Sequence, residues 1–191
     1  MRDSQIFSFP LNGTWREAIS NGERSIMYLE KVKARIEELQ SRQVVGRLVP
    51  CSVEEVHVLE EQLGRTLPAV YREFLLLMGQ RAGGLLGGTN WLYEDLNVIQ
   101  EDAVELMQRD RFPVLLPPDT FVFLMHQRYQ FGFFRLTEGD DPPVYFYMES
   151  DDEISLKISA SHYSIFLFDI IEAEGKLLDE NKRNRYPEND P

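Results

Sequence analysis

The sequence predicts an α+β fold, with a small and mainly antiparallel sheet flanked by helices. Two observations lead there. Residues 52–78 carry apolar side chains at steps of three and four, the period of helices, whereas from Thr120 onward the apolar runs are short, aromatic and β-rich, the pattern of strands. The links between those runs are too short to hold crossover helices, so neighbouring strands are expected to run antiparallel.

The strongest helical pattern begins at Ser52. Its hydroxyl can accept from an orphan amide while the carboxylate of Glu55, three residues on, reaches back, which is a capping box. Val53, Val56, Leu59 or Val58, and Leu63 then gather on one face, and Glu54, Glu55, Glu60 and Glu61 fall mostly on the other. Gly64 can end this helix in the left-handed conformation. Pro68 suits the first turn of a second helix, in which Tyr71, Phe74, Leu75 and Met78 form an apolar stripe and Gly79 closes the run.

Upstream, residues 1–13 read as an extended arm whose Phe7 and Phe9 are expected to pack on the domain. A helical pattern starts at Thr14, with Glu17 completing a second capping box, and Asn21-Gly22 interrupts it. Its better half places Ile26, Leu29, Val32 or Lys33, Ile36 and Leu39 in one stripe. Residues 43–50 are a linker or an edge strand. Four glycines in 81–89 invite a phosphate-loop reading, but Thr89 stands where the lysine is needed and no strand leads in, so a flexible surface loop is expected.

Asn97 is expected to cap a helix to about Arg109, burying Ile99, Val104 or Ala103, Leu106 and Met107. Strands follow at 121–125, 131–136, 144–148 and 154–158, with a bend near Tyr129. Ser161 or Ser164 caps a last helix ending near Glu174-Gly175. In domain terms, residues 1–44 form an N-terminal arm and helix packing on a domain at 45–175, and the charged, proline-containing 176–191 is expected to be a disordered tail.

Composition narrows the function. With 43% hydrophobic residues in 191, the chain can bury a core of its own, and its formal charge of -12 repels phosphate backbones. Nucleic acid and anionic membrane are therefore poor partners, and a basic protein is a good one. No apolar run approaches a membrane span, and one cysteine, Cys51, excludes an internal disulfide, which together point to the cytoplasm.

The order of motifs adds a family. A helix ending in Leu63-Gly64, then Leu67-Pro68, then Tyr71-Arg72-Glu73-Phe74-Leu75 before a glycine-rich stretch, resembles the entry motif of the SUKH superfamily, the Smi/Knr-like domains. Met78-Gly79-Gln80 departs from it, standing where many members have Asn-Gly. The later aromatic strands, the Pro143 to Phe146 strand and the closing helix follow the same arrangement, so the resemblance covers about residues 45–175. It implies a SUKH-like fold and a binding role. Bacterial members are largely immunity proteins that block a cognate toxin, often a nuclease, and fungal relatives regulate cell-wall synthesis and stress signalling.

Nothing in the sequence assembles a catalytic set. His57, His126 and His162 are not spaced as ligands, Cys51 lacks an activating neighbour, and no cofactor or metal is expected. A hydrolase using paired carboxylates such as Glu149 and Asp152 has no general base or metal set to support it. The notable feature is acidic. Asp140 and Asp141 on one side of the 144–148 strand, and Glu149, Asp151, Asp152 and Glu153 on the other, have no lysine or arginine among them. These residues either face a basic partner or are solvated turns that keep an aromatic hairpin soluble. Trp91 and Tyr93 are candidate aromatic anchors beside them, or core. The expected partner is a basic protein, a toxin domain on the resemblance. The oligomeric state is not set by the sequence.

Overall fold

A computed structural model describes residues 27–148 and 155–185. The capping box at Ser52 forms as read: the Glu55 amide donates to Ser52 Oγ at 3.1 Å and the Ser52 amide to Glu55 Oε2 at 2.7 Å. Helix α2, Val53–Leu63, starts there and stops at Gly64, whose φ of 60° is the left-handed cap. Val56 and Leu59 are buried, but Val53, in the first turn, is 61% exposed. Helix α3, Ala69–Met78, follows Pro68 and buries Val70, Tyr71, Phe74, Leu75 and Met78. Gly79 ends it for a packing reason, since a Cβ there would lie 2.5 Å from Cys51 Sγ and 2.8 Å from the Leu75 carbonyl.

Ahead of these, α1, Glu30–Ser41, buries Val32, Ile36 and Leu39. Strand β1, Leu48–Val49, pairs antiparallel with β2, Arg81–Ala82, across the α2–α3 pair. The glycine stretch expected to be a flexible surface loop is tied down instead. Leu85 and Leu86 are buried, the Gly46 amide donates to the Gly83 carbonyl at 2.8 Å, and the Leu86 amide donates to the buried Glu174 carboxylate at 3.3 Å.

The main sheet has the order β3-β4-β5-β6-β7 and every neighbour is antiparallel. Its strands are β3, Thr89–Asn90; β4, Thr120–His126; β5, Gln130–Arg135; β6, Val144–Met148; and β7, Ser155–Ala160. Because β3 is only two residues long, the Val122 backbone on β4 has no strand partner on that side, and the Gln100 amide supplies both bonds, at 2.9 and 2.6 Å. Gln100 lies on α4, Leu96–Arg109, which follows a 3-10 turn at Tyr93–Asp95. Asn97, the expected cap, lies inside α4, whose start has no side-chain cap; Asp95 instead closes the 3-10 turn ahead of it by accepting from the Trp91 and Leu92 amides at 3.0 Å each. Ala103 is the buried residue and Val104 the exposed one.

Tyr71 centres the core, with Phe74, Phe121, Phe134 and Tyr163 ring centroids all 5.2 to 5.4 Å away. Gly132 makes room on that sheet face, where a Cβ would meet Phe146 Cζ at 2.9 Å and Phe123 Cζ at 3.1 Å. On the opposite face Phe131 stacks on Tyr147 at 4.9 Å, and Phe112 stands edge-on to Tyr147.

The last helix, α5, Tyr163–Arg185, passes straight through Glu174-Gly175, where a stop was expected, so residues 176–185 are helix rather than disordered tail. The cause is α1. Leu39 packs where a Gly175 Cβ would be, Arg35 Nε lies 2.8 Å from Glu172, Arg42 pairs with Asp179, and Lys182 donates to the Arg42 carbonyl at 2.7 Å. Gly175 is thus a crossing point between helices and not a cap.

Candidate functional site

Asp140 and Asp141 sit in the turn between β5 and β6, and the fold separates their tasks. Asp141 accepts from the Ser164 amide at 2.9 Å and from Ser164 Oγ at 2.6 Å, so its carboxylate caps α5. Ser164, one of the two expected caps, lies inside α5 and donates to this carboxylate. Asp140 is exposed, and its carbonyl accepts from the Val70 amide at 3.0 Å. Glu138, which begins the same acidic stretch, receives the Tyr145 hydroxyl at 3.2 Å, and burial followed by that carboxylate raises the Tyr145 phenol above its ordinary value. Glu149, Asp151, Asp152 and Glu153 lie outside the described residues.

Trp91 is 3% exposed and stacks on Phe74 with centroids 5.3 Å apart, so it belongs to the core. Tyr93 behaves differently. Half-buried, it donates its amide to the Gly79 carbonyl at 2.8 Å and its hydroxyl to the Glu55 carbonyl at 3.1 Å. Burial first, then Glu55, pushes its phenol up.

That single hydroxyl joins two acidic stretches 38 residues apart. The first turn of α2, with Glu54 and Glu55, meets the 3-10 turn, with Glu94 and Asp95. Glu55 is held by Ser52 and by Gln80 Nε2 at 2.7 Å, and Asp95 by its two amides, while Glu54 and Glu94 remain exposed. Val53 at the start of α2 and Val98 in the first turn of α4 are exposed. An acidic, partly apolar surface on rigid helix starts is suited to a basic partner, because its charges are placed before the partner arrives. Sequence reasoning named Tyr93 as a candidate anchor beside the later acidic stretch, and missed its bond to the Glu55 carbonyl. The capping box marked Glu55 locally, and nothing local signals a contact across 38 positions.

The histidines are on separate elements. His57 is exposed on α2 beside Glu61, His126 ends β4 with Nδ1 2.8 Å from Thr89 Oγ1, and His162 Nδ1 lies 2.9 Å from the Asp141 carbonyl. Burial lowers the His126 value. Cys51 is buried, and burial followed by Glu55 pushes its thiol up to about 12, which keeps it unreactive. Among the described residues, no group of three or more His, Cys, Asp or Glu side chains is placed to hold a metal ion. No helix among them is long and apolar enough to cross a membrane.

Comparison with known proteins gives one positive result. The family described as SMI1 / KNR4 family (SUKH-1) matches residues 50–169, well over half of the chain. No curated protein matches it significantly. The matched region runs from the start of α2 into α5. Helix α1 and the end of α5 lie outside it and clasp each other.

Proposed function

We propose that the chain, which belongs to the SMI1 / KNR4 family (SUKH-1), is a non-catalytic binding domain that captures a basic toxin domain and neutralises it by covering the active site or a surface beside it. A nuclease is the toxin class that fits best, since a protein that handles phosphate backbones carries the positive field this chain complements. Such an immunity protein works in the cytoplasm, where the toxin acts. The observation that carries the reading is the seam at Tyr93, whose hydroxyl ties the 3-10 turn that carries exposed Glu94 to the first turn of α2, which carries exposed Glu54. The formal charge of -12 supports it by steering a basic partner from a distance. Asp140 extends the acidic surface elsewhere, while Asp141 contributes through α5.

The test is capture with the tagged chain at low salt, elution at high salt, and assay of the released protein with and without the chain. A single basic toxin domain whose activity disappears in a one-to-one complex is the expected result. A released nuclease that stays active in the complex would sink the proposal. Recovery of host regulatory proteins would place the chain with the signalling scaffolds.

A further inference from the structure

Residues 110–118 carry the chain from the end of α4 to β4 and hold an apolar tip clear of the domain. Val114 is 52% exposed and Leu115 87%, the highest of the exposed large hydrophobics among the described residues. Both feet of this loop are fixed. At the first, Arg111 takes a left-handed φ of 54°, its amide donates to the Gln108 carbonyl at 3.1 Å and the Phe112 amide to the Met107 carbonyl at 2.9 Å, which closes α4 as a Schellman motif. Phe112 then stands edge-on to Tyr147, and Leu116 packs on the core. At the second, the Thr120 amide donates to the Pro117 carbonyl at 3.0 Å and the buried Asp119 carboxylate accepts from Arg135. Pro113, Pro117 and Pro118 restrict the backbone between, so the tip loses little freedom on docking.

The same chain carries a groove of about 520 Å³ between the entry to α1 and the outer side of α3. Met27, Leu67, Leu76 and Leu77 give it an apolar wall, and Leu76 is 40% exposed on a helix whose opposite stripe is buried. Glu73 on α3 holds the two sides together. It accepts from the Tyr28 amide at 2.8 Å and the Leu29 amide at 3.3 Å, and so takes the place of the side-chain cap that α1 lacks. The cations that line the groove are engaged, Lys33 with Glu73 at 2.6 Å and Arg72 with Glu60 at 3.2 Å, which leaves the exposed Asp140 to set the sign of the opening.

We propose that the tip at Val114 and Leu115 seats in this groove of a second copy, with Arg111 meeting Asp140 across the contact. The two surfaces match in character: an apolar knob with an exposed cation four positions ahead of Leu115, and an apolar groove with an exposed carboxylate in its lining. They cannot meet within one chain. Tyr71 of α3 packs on the sheet face that carries Phe134, whereas Phe112 packs against Tyr147 on the other face, so the sheet stands between tip and groove. Each copy therefore offers a knob on one side and a groove on the other, and the contact runs head-to-tail rather than about a two-fold axis. One loop tip in one groove buries a small area, and two chains of charge -12 repel, so the association is weak, with a Kd on the order of 0.1 to 1 mM.

Sedimentation of the full chain across concentration tests this, in about 0.15 M salt, where repulsion between copies is screened beyond roughly 8 Å. The weight-average mass is expected to rise above the monomer's 22.3 kDa as the concentration approaches about 1 mM, whereas Leu115→Asp and Leu76→Asp each stay at the monomer mass. Mixed in equal amounts, those two variants are expected to form a pair and nothing larger, since Leu115→Asp keeps its groove and Leu76→Asp keeps its tip. Arg111→Glu is expected to weaken the association several-fold, and Asp140→Arg in the same chain to restore it, which separates the contact from a loss of fold. A parent chain that stays monomeric at about 1 mM overturns the proposal. So does association that Leu115→Asp or Arg111→Glu leaves unchanged, or a mixture of the Leu115→Asp and Leu76→Asp chains that stays monomeric while the parent associates.

Discussion

Asp141 receives both the amide and the hydroxyl of Ser164, at 2.9 and 2.6 Å, and so ties the β5–β6 turn to the first turn of α5 across 23 positions. Helix starts leave amides without partners, and a carboxylate there also meets the positive end of the helix dipole. Asp141→Ala is therefore expected to cost about 1 to 2 kcal/mol in urea unfolding. Asp140→Asn, at the exposed neighbouring position, is expected to stay within about 0.5 kcal/mol of the parent. Equal losses in the two variants would remove the capping assignment.

The seam at Tyr93 predicts a kinetic effect. Glu54→Gln together with Glu94→Gln is expected to slow association with the basic partner by roughly tenfold at low salt and by little at high salt, with dissociation almost unchanged. Stopped-flow association across ionic strength measures it. A parallel loss at all salt concentrations would mean that these carboxylates make close contacts rather than steer.

Asp119 predicts a dependence on acid. The Thr137 hydroxyl and then the Arg135 guanidinium hold its carboxyl down to about 2. A folded value below the unfolded value of about 3.9 means that the stabilisation is complete above about pH 4 and is lost as pH falls through about 2. The stability gap between the parent and Asp119→Asn is expected to be widest near neutrality and to narrow over that window. Urea midpoints at several pH values give the curve, and a gap independent of pH would refute it.

Glu174 has the opposite sign. Burial raises its carboxyl, and the bond from the Leu86 amide opposes the rise only in part. The folded protein then holds this proton more tightly than the unfolded chain, so ionisation lowers stability as pH rises from the ordinary carboxylate range through the raised folded value. Glu174→Gln keeps an oxygen for Leu86 and is expected to be more stable than the parent at neutral pH, with the gain vanishing in acid. A less stable variant at pH 7 would show that the charge itself holds the glycine loop.

Gly175 tests the α1–α5 crossing. Alanine gains about 1 kcal/mol of helix propensity and meets only the movable end of Leu39, so it should be close to neutral. Leucine cannot be accommodated by a rotamer change, and is expected to cost about 1 to 3 kcal/mol and to loosen α1. Amide exchange in α1 distinguishes that outcome from a general loss of stability.

What was legible in the sequence is what short-range physics governs. The capping box at Ser52, the left-handed stop at Gly64, the stripe through Tyr71 and Phe74, and the 144–148 strand all depend on neighbours within a few positions, and they stand where the pattern put them. The family followed from the order of those same elements. The errors share one cause. Gly175 looked like a stop because its partner, Leu39, is 136 positions away, and the glycine loop looked free because Glu174 pins it from α5.

The site divides along the same line. The sequence by itself determined an acidic α+β domain of this family, because charge and periodicity are additive along the chain. Only the tertiary structure decided which carboxylates are available. It committed Asp141 to α5, buried Trp91 in the core, gave Glu73 to the start of α1, and left Glu54 and Glu94 exposed at Tyr93. A carboxylate's role depends on the donors that reach it, and those donors come from elements whose packing no local pattern records.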